Sequence, residues 1–147
     1  MMKNWNDTPS DLLPDGSVDT RPGARVWVSA MTVAGTSGRF TRLVHPTYAE
    51  LLCTNDPRTE QEARDKNMPV AYMVPIRLNG TLDYARKQSA KKLHICANRD
   101  EALKHFLDDM AVIETDKKKK LEQLELELGL IKTFRKTYLP EAETEEE

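Results

Sequence analysis

Between Asn98 and Pro140 the chain holds a single glycine, Gly129, and nothing else that breaks a helix, so over a quarter of the molecule is committed to helix before any core is counted. Asn98-Arg99-Asp100-Glu101 reads as its start, with Asn98 as N-cap and Glu101 placed to return the bond of a capping box. Leu103, Phe106, Met110 and Ile113 follow at helical spacing with Leu107 beside them, one stripe expected to cover a sheet. Then Glu114, Asp116 and four lysines, Lys117, Lys118, Lys119 and Lys120, interrupt it, so the helix either turns into a helix pair or crosses solvent. Apolar spacing resumes at Leu121, Leu124, Leu128, Ile131 and Tyr138, a coiled-coil-like series broken by Arg135. At 100° per residue these five span roughly 100°, while Leu126, Leu130 and Phe134 fall on a second arc expected to lie nearly opposite. Two apolar faces need two partners. Gly129 costs about 1 kcal/mol inside a helix and marks a tolerated defect or a close approach.

Upstream the pattern is that of strands. Residues 25–33 are rich in β-branched side chains, and 39–45 follow across a five-residue link holding Gly35 and Gly38, which makes a hairpin. Pro46 and the short run 48–52 suggest one or two helical turns, and the polar stretch 58–66 an exposed helix or a mobile loop. In 70–78, Val70, Tyr72, Val74, Ile76 and Leu78 alternate, and Pro75 predicts an edge strand or a bulge. Asn79-Gly80 predicts a turn with 81–86 returning antiparallel, and 92–97 form a last strand. The expected fold is therefore α+β: a small bent antiparallel sheet or partly open β-barrel of about five strands, then a long C-terminal helix or helix pair.

Four regions follow: a flexible acidic N-terminal arm over 1–23, the α+β domain over 24–113, the amphipathic helix over 114–139 and an acidic disordered tail over 140–147. Residues 1–20 set Lys3 against Asp7, Asp11, Asp15 and Asp19, and the end holds Glu141, Glu143, Glu145, Glu146 and Glu147. Residues 21–140 are thus basic, with clusters at Arg86, Lys87, Lys91 and Lys92 and at Lys117 to Lys120. Such blocks are ordinarily solvated faces; alternatively both clusters bind nucleic acid, with Trp27 and Tyr84 as stacking residues. Trp5, Leu12 and Leu13 are the apolar exceptions in the arm, a candidate linear motif.

With 31% charged residues and no apolar run near eighteen, no membrane association is expected, and the start lacks a signal-peptide core. Cys53 and Cys96 are expected as reduced thiols in a cytoplasmic protein. No phosphate-cradling loop, nucleophile elbow or HExxH occurs, which argues against an enzyme and against a cofactor. His94 and Cys96 share a strand face near His105, but their spacing fits no closed zinc site, so no metal is expected. Asp108 and Asp109 diverge by about 100° and read as solvated surface.

The order strand, Asn98-Arg99-Asp100-Glu101-Ala102, long charged helix resembles the closing segment of many small accessory proteins of phages and mobile elements, over about the last third of the chain. The resemblance implies a β domain whose C-terminal helix serves assembly or the binding of a host or virion protein, and it carries no functional residue. The expected function is a non-enzymatic accessory protein acting by protein binding or homo-oligomerisation through Leu121, Leu124, Leu126, Leu128, Leu130, Ile131, Phe134 and Tyr138. The alternative is a nucleic-acid-binding regulator.

Overall fold

The structure is a computed structural model that describes residues 5–54 and 57–139; the acidic tail, with Pro140, lies outside the described residues. The fold is α+β, an open five-stranded antiparallel sheet followed by one long helix. Strands β1 (Arg25–Val33), β2 (Phe40–Leu52), β3 (Tyr72–Pro75), β4 (Gln88–Ser89) and β5 (His94–Cys96) lie in the order β4-β3-β2-β1-β5. A short helix α1 (Pro57–Asp65) links β2 to β3, and α2 (Arg99–Tyr138) ends the described chain. Contacts divide the chain into two units, Met1–Met110 and Ala111–Glu147.

The hairpin across residues 34–38 forms as expected, but β2 runs on through Pro46 to Leu52 where helical turns were expected. Long-range pairing overrides the local signal: Tyr48, Ala49 and Glu50 pair with β1 on one side, and Ala49 to Leu52 pair with β3 on the other. Pro46 is accommodated because the register slips between Val28 and Ala30, so that β2 carries an extra residue there and one ladder N–H is not needed. The polar stretch after residue 56 is helix, α1.

β3 is not an edge strand. Met73 and Val74 are both buried, so the alternation that reads as one wet and one dry face covers two dry faces. Pro75 fits because β4 pairs only with Tyr72 and Met73, leaving no ladder partner that calls for the missing N–H. The Asn79-Gly80 turn closes, with Gly80 at φ 90°, its N–H on the Arg77 carbonyl and Asn79 Oδ1 accepting from Thr81 N. The return after it is shorter than expected: a single bridge of Ile76 with Leu82, a 3-10 turn at Tyr84–Arg86, then β4.

Both sheet faces are packed. Val26, Val28 and Ala30 of β1 join Val44, Ala49, Leu51 and Met73 on one face, with Val18, Val70, Leu93 and Ile95 against them. On the other, Trp27, Tyr48, Ile76 and Cys96 meet Ala102 of α2, with Trp5 and Leu82 alongside. Residues 5–23, expected as a flexible arm, are laid along the sheet. Ser10 Oγ donates to the Cys96 carbonyl and accepts from Trp27 N at 2.8 Å, which stitches β1 to β5. Trp27 Nε1 donates to the Thr8 carbonyl at 2.6 Å, and Trp5 Nε1 to that of Arg77 at 3.1 Å. Few apolar residues are needed because the arm's backbone supplies partners that the sheet would otherwise leave unsatisfied.

Candidate protein-binding surface

α2 starts as its sequence dictates: Asn98 Oδ1 accepts from Glu101 N at 2.8 Å, and Glu101 Oε2 returns to Ala97 N at 2.8 Å, one residue earlier than the standard box. Ala102 and Phe106 are its buried residues, fixed by Ser29 Oγ donating to the Ala102 carbonyl at 3.0 Å and by Phe106 against His45, centroids 5.4 Å apart. The expected covering stripe is therefore shifted: Leu107 is exposed and Met110 is already 40% exposed.

The helix neither turns nor splits at residues 114–120. Lys118 pairs with Glu114 at 2.9 Å and Lys120 with Asp116 at 3.1 Å, both one turn apart, which holds a polar segment helical without a packed face. Lys118 also keeps the Glu114 carboxyl below its ordinary range through their hydrogen bond and charge.

Beyond it, every residue expected to bind a partner is a formed helical surface with nothing over it among the described residues. Leu121, Leu124, Leu126, Leu128, Leu130, Ile131, Phe134 and Tyr138 are exposed by between 52% (Leu130) and 74% (Tyr138). The two arcs are not opposite. Their centres lie about 130° apart, and they adjoin where the Phe134 and Tyr138 rings meet at 6.4 Å. Around the helix the remaining wedge holds Glu122, Glu125, Lys132 and Lys136 with Gly129, where an added Cβ would touch nothing. Gly129 is thus a defect within the chain rather than a close approach.

The two basic clusters lie in different units of the chain. Lys117, Lys118, Lys119 and Lys120 step by about 100° each and so point to all sides of the helix. In the first unit, Arg86 pairs with Asp83 at 3.6 Å and Lys87 Nζ lies 4.9 Å over the Tyr72 ring. The loop of Lys91 and Lys92 is anchored by the Arg42 guanidinium, which donates to the Ser89 and Lys91 carbonyls. Trp27 cannot stack on a base, being 3% exposed and bonded through its indole N–H; Tyr84 remains accessible.

His94 and Cys96 do share a face, and α2 adds groups that spacing along the chain did not reveal. His105 stacks on His94 at 4.7 Å, and Asp109, expected as solvated surface, holds His94 Nε2 at 2.9 Å. Cys96, Glu101 and His105 bring one ligand atom each within 4.8 Å of one another, the trio that could hold a metal. Glu101 already serves the Ala97 N–H, and the Cys96 thiol is pushed up to about 11 from 9.0, first by burial and then by Glu101. Closure on a cation would have to displace the thiol proton. Because an unfolded thiol ionises near 9 and the folded one near 11, stability is expected to be intact below pH 9 and to fall as pH rises from 9 to 11. Urea melts of wild type and Cys96→Ala across that range check it: the slope should be shallower in the variant, with Cys53, Tyr48 and Tyr84, whose groups burial also pushes up, keeping the remainder.

No family model matches this chain, and neither does any curated protein or any solved structure compared with it. No helix among the described residues is long and apolar enough to cross a membrane.

Proposed function

We propose that this protein acts by protein–protein binding through its C-terminal helix, with self-association as its primary mode and no chemistry of its own. One observation carries the reading: eight large apolar side chains over residues 121–138, each more than half exposed on helix that is already formed. Contiguous apolar patches of this kind mark interaction sites on ordinary proteins. An isolated helix also draws little stability from propensity alone, so this segment needs a packed neighbour. The alternative regulator role has less behind it, since the lysines of residues 117–120 ring the helix and Trp27 is buried. An accessory role in assembly, of the phage or mobile-element kind, fits such a helix, and two free thiols suit the cytoplasm. Light scattering of the full chain at tens of micromolar is expected to give a multiple of 16.8 kDa. A mass of one chain at every concentration would overturn self-association.

A further inference from the structure

We infer that the stripe of Leu121, Leu124, Leu128 and Ile131 is covered by a second copy of the same helix, parallel and in register, an inference that rests on the self-association proposed above. Setting Leu121 at position a of a heptad places Leu128 and Arg135 at a and Leu124, Ile131 and Tyr138 at d. Lys120 and Glu127 then occupy g, while Glu125 and Lys132 occupy e. In a parallel pair each g residue meets the e residue five positions further along the other helix. Lys120 therefore meets Glu125 of the second copy, and Glu127 meets its Lys132. Symmetry doubles both, and all four pairs are of opposite charge.

The flanks of the stripe decide the direction. In the parallel arrangement Leu121, Leu124, Leu128 and Ile131 each meet their own copy, four successive apolar layers, and Tyr138 meets its own copy beyond them. One antiparallel register sets Leu121 against Tyr138 and every Leu124 against a guanidinium of Arg135; the other, one heptad over, keeps four apolar layers by setting Leu121 against Ile131 and Leu124 against Leu128, but puts Tyr138 against Glu114 and forms none of the g–e pairs above. Parallel pairing confines that guanidinium to a single a layer near the helix end, where one polar residue fixes register at some cost in stability. Glu114 and Lys117 occupy the preceding a and d positions, so the seam begins at Leu121. The pairs already made within the chain leave room for those between chains. Lys120 has three donors and uses one on Asp116, and Glu127 takes one bond from Gln123 at 3.2 Å.

Leu121→Cys and Tyr138→Cys, each in a full-length Cys53→Ser background, test the direction under mild oxidation. In the parallel register each variant alone is expected to give a disulfide-linked dimer, because each cysteine faces its own copy. In either antiparallel register each position lies at least about 15 Å from its own copy at 1.5 Å per residue, so neither variant would cross-link alone, but Leu121→Cys would in a mixture with Tyr138→Cys or, one heptad over, with Ile131→Cys. An oligomeric wild type with cross-links only in a mixture overturns the parallel register and leaves self-association standing. A monomeric wild type overturns both. Lys120→Glu with Lys132→Glu is expected to raise the dissociation constant about tenfold at low salt, and adding the Glu125→Lys, Glu127→Lys chain should restore pairing as a mixed species. An unchanged dissociation constant in the acidic variant would remove the charge pairs from the interface.

Discussion

Replacing Leu124 and Leu128 together by glutamate is expected to abolish association at micromolar concentration while leaving the first unit folded. Leucine and glutamate have nearly equal helix propensity, so any helical signal lost from far-UV circular dichroism reports the lost neighbour and not the substituted residues themselves. The loss comes from the seam. Each chain forfeits two buried leucines, worth on the order of 1.5–3 kcal/mol when fully covered, and gains two carboxylates that must be desolvated or left apart. Across two chains that exceeds about 4 kcal/mol, or roughly a thousandfold in the dissociation constant. Neither residue belongs to the packed clusters on either sheet face, so the thermal midpoint of the first unit should move little. A variant that keeps wild-type mass would show that the stripe is not the contact.

Trp27→Ala is the substitution expected to cost most within the first unit, about 3–5 kcal/mol. The indole is 3% exposed, packs on Tyr48 at 5.6 Å between ring centroids and donates to Thr8, while the Tyr48 ring in turn packs, tilted, on Trp5 at 5.3 Å. Truncation opens a cavity between sheet and α2 and also releases the segment around Thr8. Against a total of about 5–15 kcal/mol for a domain of this size, the loss should appear as a fall in melting temperature of roughly 12 °C or more. Hydrogen exchange should separate the two consequences: amides bonded through the arm, such as Trp27 N on Ser10, should lose protection before those of the β1–β2 ladder. Trp27→Phe keeps one aromatic ring in the site but loses the Thr8 bond and part of the indole's volume, and should cost less than Trp27→Ala. A Trp27→Ala protein within 1 kcal/mol of wild type would mean that the α2 face is not a core.

What the sequence determined by itself is whatever rests on neighbours along the chain. Asn98 and Glu101 cap α2 through bonds spanning three and four residues. The turn at Gly80 and the hairpin over residues 34–38 are equally local, and the apolar spacing from Leu121 onward is a property of helix geometry alone. Tertiary structure decided the rest, because the partners are distant. Residues 46–52 are strand only because β1 and β3 flank them, against a proline signal that favours a helix start. Ser10 is bound into the sheet across 86 positions, a bond that no local pattern in an acidic, proline-bearing arm announces. The cluster of His94, Cys96, Glu101, His105 and Asp109 exists because α2 folds back beside β5, bringing His94 and Asp109 together from fifteen positions apart. Short-range hydrogen bonds and helical periodicity are written in spacing, whereas burial and pairing across the sheet are settled only when the whole chain competes for the same surfaces.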